Sequence, residues 1–334
     1  MTYIRHLLTG TVAALALTAP AFAADYRIAV GDGAGGTQEA LGNAFIAALE
    51  EQSGGAMTGR LFLNGQLGDE QDTVTAAATG TLDFSILAIN NLTPFSPSVG
   101  ALTLPYVILS QEDAEALTQG EVGQRMIDQT VEDAGVRIIG WAYSGFRVLS
   151  NSARPVTTPA DLQGLQIRVP RNEIMIETYK AWGINPTPMA WSETFAALQQ
   201  GVVHGQDNPY MTIYAMKFDE VQKYITNLRY IFSIEPLIVS EALFESLSAE
   251  EQAQILAAGQ AATEASAAFL RSEEAKIREE LVARGMEISD PADDEAAFIE
   301  LATTTVWPKF YDQIGGRQAL DDILISLGRE ATAD

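Results

Sequence analysis

The segment from Ser248 to about Ala283 constrains this chain most. Ser248 and Glu251 have the spacing of a capping box, in which each residue's side chain satisfies a backbone N–H of the other. From there the sequence runs helically, without proline, to about Ala283, and Gly285 closes it. At the usual rise such a helix is about 50 Å long, more than one ordinary lobe needs. It reads as a strut crossing two lobes, and two lobes leave a cleft between them.

The amino terminus carries the marks of an export signal. Arg5 supplies a positive charge, "LLTGTVAALALTAP" is a short apolar core, and Ala21-Phe22-Ala23 is a cleavage site of small residues before Ala24. The apolar core is too short for an ordinary membrane span, and no later stretch approaches one. A periplasmic protein beginning near Ala24 is therefore expected, and residues 24–334 suffice for two lobes of ordinary domain size. With no cysteine, disulfides and thiolate metal sites are excluded. The two histidines are His6, in the signal, and His204, so a hydrolytic or metal mechanism would rest on one imidazole. No catalytic, metal or cofactor site is expected. A formal charge of −24 argues against nucleic acid and anionic membranes as partners.

Strands and helices alternate along the chain, the pattern of an α/β protein with crossover connections. "YRIAV" is a strand, Leu41, Phe45, Ala48 and Leu49 mark one face of a helix, and "GRLFLN" is a second strand. "DEQDTVTAAATG" reads as a helix ended by Gly80, "TLDFSIL" as a third strand, and "VRIIGWAY" as a later one. In "LQIRVP", Leu165, Ile167 and Val169 alternate with Gln166 and Arg168, so one face is core and the other carries an arginine.

Gly31-Asp32-Gly33-Ala34-Gly35-Gly36 matches the G-x-G-x-x-G pattern of dinucleotide-binding turns. A genuine fingerprint wants an acid at the end of the second strand to hold the ribose, and that strand ends at Asn64. Glu50 and Glu51 fall at the end of the helix instead. An exported nicotinamide-dependent oxidoreductase is thus the weaker alternative. The turn is expected to form a backbone lip of the interlobe cleft, with Gly33 nearest a ligand.

The run from Leu162 to Pro209, "LQGLQIRVPRNEIMIETYKAWGINPTPMAWSETFAALQQGVVHGQDNP", resembles the signature region of the solute-binding proteins of TRAP (tripartite ATP-independent periplasmic) transporters. "NGQLGDE", "GTLDFS", "LPYV", "AYSGFRVLSN" and "MKFDEVQKYIT" follow in the family's order over nearly the whole chain. The resemblance implies a two-lobed periplasmic binding protein, each lobe a mixed sheet flanked by helices. The lobes are expected over residues 24–145 plus about 236–265, and 146–235 plus about 266–334.

By the same resemblance, Arg168 matches the arginine that forms a bidentate bridge to the ligand carboxylate, a geometry suited to a guanidinium fork. Arg147 matches a second family arginine, or is a structural ion-pair residue. Asn208 matches a family asparagine, or caps the helix after Pro209. Trp191 matches an aromatic wall of the pocket, or is simply core. Arg171 could meet a second ligand carboxylate or stay in solvent, and Asn90 lies on the loop after the third strand, where a carboxylate of the sialic-acid branch is missing. His204 replaces a family aspartate as a turn residue. Tyr143, Phe146 and Tyr210, with Tyr214, lend the neighbourhood an aromatic bias, so a compact organic acid with an apolar or ring-bearing body is expected. The implied function is capture of that acid by a monomeric receptor that closes on it and delivers it to a TRAP permease of one small and one large membrane subunit. A receptor presenting its ligand to a membrane sensor has the same cleft and stays open as an alternative.

Overall fold

The computed structural model describes residues 23–332, so the signal read over residues 1–23 lies outside the described residues except for Ala23. The strands, in chain order, are β1 (Ala24–Val30), β2 (Met57–Phe62), β3 (Phe84–Ile86), β4 (Val136–Phe146), β5 (Val148–Asn151), β6 (Ile167–Val169), β7 (Thr187–Pro188), β8 (Gly205–Asn208), β9 (Tyr224–Thr226), β10 (Phe232–Ser240) and β11 (Glu287–Ser289). They form two sheets. The first has the order β2-β1-β3-β10-β4 and the second β11-β9-β5-β8-β6-β7.

Both sheets are mixed. In the first, β1 runs parallel to β2 and β3 while β10 is antiparallel to β3 and β4. In the second, β5 is antiparallel to β8 and β9 while β6 is parallel to β7 and β8. Helix Thr37–Gln52 turns Leu41, Phe45 and Leu49 into the core of the first lobe, where they meet Ile28, Phe84 and Ile86. Leu165, Ile167 and Val169 fill the core of the second lobe, so the alternation read in "LQIRVP" holds.

The long helix spans Ala249–Ala283, with both halves of its capping box formed. Its first half packs on Thr37–Gln52 and on β4. Contact there is close: a Cβ on Gly259 would collide with the Ile139 carbonyl, and the Thr263 hydroxyl accepts from the Trp141 N–H at 2.9 Å. Its second half reaches helix Tyr210–Ala215 of the second lobe and buries Ile277 and Leu281. The helix is therefore a strut fixed at both ends.

The chain also passes between the sheets at Arg147, which separates β4 from β5, and at residues 227–231, which separate β9 from β10. The Arg147 N–H donates to Ile231 O at 2.9 Å, pinning the two passages together. The C-terminal helix Arg317–Ser326 departs from the division expected from sequence. Its Leu320, Ile323 and Leu324 pack with Val99, Ala101 and Met126, ahead of β4. Arg329 then donates to the carbonyls of Tyr106 and Val107.

Candidate functional site

The interlobe cavity begins with β6. Its core-facing residues leave Arg168 pointing the other way, into a small cavity of about 10 Å3 between the lobes. Arg168 is 2 % exposed. Its Nε and Nη2 both donate to the Met189 carbonyl, at 3.2 and 2.8 Å, and its guanidinium lies 5.3 Å from the Trp191 ring centre. Among the described residues no carboxylate is within salt-bridge distance of it. Burial, and then the like charge of Arg147, pull its pKa down to about 10, which still leaves it charged at neutral pH.

Arg147 lies in the same cavity but has its own counter-ion. Its Nη2 is 2.9 Å from Asp207 Oδ1 on β8, and Tyr179 and Tyr230 donate their hydroxyls to Oδ2 of the same carboxylate. Burial works against the Arg147 charge, but Asp207 outweighs it and the pKa is raised. The two readings of Arg147 are thus both met: it is a structural ion pair, and it lines the cavity.

The opposite wall comes from the first lobe and is acidic. Asp32, Glu70 and Glu235 are between 2 and 4 % exposed, and all three line the cavity. Burial raises Asp32 to about 6, opposed by the Thr212 hydroxyl at 3.1 Å, the nearby Trp191 N–H and the Arg147 charge. Burial and the charge of Asp32 raise Glu70 to about 8, although Gln38 and Asn91 donate to its carboxyl. Glu235, which accepts from the Thr37 hydroxyl at 3.0 Å, is held well above the usual carboxylate range by burial and by Asp32. One donor in this cavity, Asn90 Nδ2, is buried without a hydrogen-bond partner, while the buried Trp191 Nε1 faces Asp32 without reaching good hydrogen-bond geometry.

Of the residues singled out from sequence, Arg168, Arg147, Asn208, Trp191 and Asn90 meet at this cavity. The capping alternative for Asn208 fails, because Pro209 caps Tyr210–Ala215 without a side-chain bond and the Asn208 amide donates to Gln206. Gly33 lines the wider outer cleft, where its N–H points to Met216 Sδ at 3.2 Å and a Cβ would stand 2.8 Å from Ala215 O of the second lobe. In the same turn Gly35 has φ +93, which favours glycine. The inward-reaching residue of the turn is Asp32.

Tyr143, Phe146 and Tyr210 lie away from this cavity, contrary to expectation. Tyr143 is buried in the core and its hydroxyl bonds Thr118 at 2.7 Å. Phe146 and Tyr210 line a different hollow, beside Glu274 and Arg278 of the long helix. For Arg171 the solvent alternative is met: it is exposed and faces Glu193 at 3.6 Å. With Tyr214 under the Arg284 guanidinium, the expected aromatic lining reduces to Trp191, and the cavity is polar where an apolar body was expected. His204 is structural, its Nδ1 accepting from the Gln166 N–H at 3.0 Å.

Sequence reasoning missed the acids. Glu235 carried a signal, as the single charged residue in the mostly apolar run "FSIEPLIV", whereas the burial of Asp207, beside Asn208, shows only in the structure. Glu70 closes the segment "NGQLGDE".

The lobes are in contact across the cleft. Asn172 Nδ2 donates to Asn90 O at 3.0 Å, Thr212 reaches Asp32, and the Ser192 N–H donates to Asp69 Oδ1 at 3.1 Å. Two lobes on a three-segment hinge, closed over a charged cavity, define a solute receptor of the hinged two-lobe type. The sequence matches the family described as bacterial extracellular solute-binding protein, family 7, over residues 35–314. A solute-binding protein of Verminephrobacter eiseniae is 35% identical over 279 residues, which are 84% of this chain and 82% of that one. A TRAP periplasmic solute-binding protein from Bordetella, with density interpreted as pantoate, superposes with a TM-score of 0.86 at 31% identity, covering 93% of this chain and 100% of its own. One from Roseobacter denitrificans, with bound L-galactonate, gives 0.84 at 30% identity, covering 90% and 98%.

The chain belongs to this family of TRAP transporter solute-binding proteins. It is a binding protein and not an enzyme, so the oxidoreductase alternative falls. The family's members are periplasmic, bind small organic acids and work with TRAP membrane subunits.

Proposed function

We propose that this protein captures a small organic acid by its carboxylate at Arg168 and hands it to a TRAP permease of one small and one large subunit. The observation that carries this reading is a buried guanidinium without a carboxylate partner among the described residues, set in an enclosed cavity. Keeping an unpaired charge out of water is costly, and a ligand carboxylate removes the cost by pairing with it. Nη1, not engaged by Met189, is free to take one carboxylate oxygen. Arg147 lends positive potential and, through its backbone, lies in the hinge itself; Asn208, Asn90 and Trp191 complete the wall.

Ligand entry thus supplies the free energy that populates the closed form, in which Gly33 rests on the second lobe. The protein works in the periplasm as a monomer, after removal of residues 1–23. A thermal-shift screen of the mature protein over organic acids tests the reading. At 100 times its dissociation constant, a true ligand adds about 2.7 kcal/mol to stability and raises Tm by several degrees. A screen in which acids and uncharged analogues shift Tm equally contradicts it.

A further inference from the structure

A hollow of about 690 Å3 lies behind the hinge, within the range of about 300 to 1,000 Å3 usual for small-molecule sites. Its walls come from all three segments that join the lobes. Phe146 and Val148 flank Arg147 at the first passage, Arg229 stands on the second, and Glu274, Arg278 and Val282 lie along one side of the long helix. Side chains alternate along an extended chain, so Phe146 and Val148 face away from the cavity that Arg147 lines. The hollow and the interlobe cavity are thus on opposite sides of the hinge, and a rotation that opens one narrows the other.

The lining is part apolar and part charged. Phe146, Val148, Tyr210 and the exposed Val282 offer apolar surface. Glu274 is partly buried: its carboxyl presses on Gly145, where a Cβ would stand 2.5 Å from Oε1, and burial raises its pKa. Among the described residues it has no hydrogen-bond donor and no ion-pair partner. The same holds for Arg278, whose guanidinium lies 5.7 Å from the Tyr210 ring centre. The two are one helical turn apart, so a single small molecule can touch both. An anion there pairs with Arg278 and is repelled by Glu274, and a cation meets the reverse. A zwitterion answers both charges. Its ammonium donates to Glu274, and its carboxylate accepts from Arg278 and from Arg229, which holds Glu295 by Nε at 3.1 Å.

We propose that this hollow is a second small-molecule site, that it takes an α-amino acid with an apolar side chain, and that its occupant holds the lobes closed. The side chain rests on Phe146, Val148 and Tyr210. A filled hollow resists narrowing, so the occupant favours the closed form, and by linkage whatever binds in the interlobe cavity favours the occupant. None of this depends on what Arg168 binds.

The test is calorimetric titration of the mature protein with two matched sets. The first is L-leucine, 4-methylpentanoate and 3-methylbutylamine, and the second L-phenylalanine, 3-phenylpropanoate and 2-phenylethylamine. At least one amino acid is expected to bind about 10-fold or more tightly than both of its singly charged analogues, because each analogue leaves one charge of the site unmatched. Glu274→Gln and Arg278→Gln, checked for folding by thermal melting, each weaken that amino acid about 10-fold or more, whereas Arg168→Gln leaves it within about threefold. At saturation the same amino acid lowers the radius of gyration of the solute-free protein in small-angle X-ray scattering. A singly charged analogue that binds as well overturns the zwitterion. Loss of binding in Arg168→Gln, with Glu274→Gln unaffected, puts the amino acid in the interlobe cavity and overturns the second site. An unchanged radius of gyration with the amino acid bound overturns the link to closure. Absence of binding by both amino acids overturns the proposal and leaves the carboxylate reading of Arg168 standing.

Discussion

Arg147 and Arg168 share a cavity, and the difference between them is Asp207. The Arg147–Asp207 pair is fully buried and extended by two tyrosine hydroxyls, so neither charge can turn to water if its partner goes. Breaking such a pair from one side leaves an uncompensated charge and typically costs about 3–5 kcal/mol. Asp207→Asn is therefore expected to lower unfolding free energy by that order in a denaturant melt of the ligand-free protein, and a loss below about 1 kcal/mol would contradict the assignment. Arg168 was legible in the sequence because its neighbours alternate and its motif is specific. Asp32, Glu70 and Glu235 were not, because three acids far apart in the chain become one wall only through the order β2-β1-β3-β10-β4 and the packing above it.

Elements were more legible than their meetings. The Ser248 capping box fixed the start of the long helix and Gly285, at φ +101, its end, because both signals are local. The strand, glycine turn and helix start were legible as elements because those signals are local, whereas that Asp32 lines the inner cavity and Gly33 the outer cleft was not. What eluded the sequence was orientation. Tyr143 and Phe146 lie on β4, where Tyr143 turns into the lobe core and Phe146 meets Phe232 at the hinge, 5.1 Å between ring centres. A β-bulge shifts the register between Ser233 and Ile234, opposite that stretch, so counting alternation along β4 could not say which residue faces the cleft.

Across the whole molecule, burying acids makes stability depend on pH in a defined sense. Asp32 rises from 3.8 to about 6 and Glu70 from 4.5 to about 8, so between about pH 4 and 8 the folded state holds more protons than the unfolded one. Unfolding free energy therefore falls as pH rises through that window, by up to about 1.4 kcal/mol per pH unit for each group. The ligand-free protein is expected to melt higher at pH 5 than at pH 8. General repulsion at a net charge of −24 acts in the same direction, and Glu70→Gln separates the two by flattening the slope between pH 5 and 8. A slope unchanged in that variant would contradict the raised pKa.

Closure joins these scales, because Arg168, the buried acids and Arg147, at the passage between the sheets, all border one cavity. The most direct measurement is calorimetric titration of the tightest acid from the ligand screen into the wild type and into Arg168→Gln. A loss of about 100-fold or more in affinity, roughly 2.7 kcal/mol, is predicted for a variant that melts as cooperatively as the wild type. Affinity within threefold of the wild type would contradict Arg168 as the carboxylate's partner.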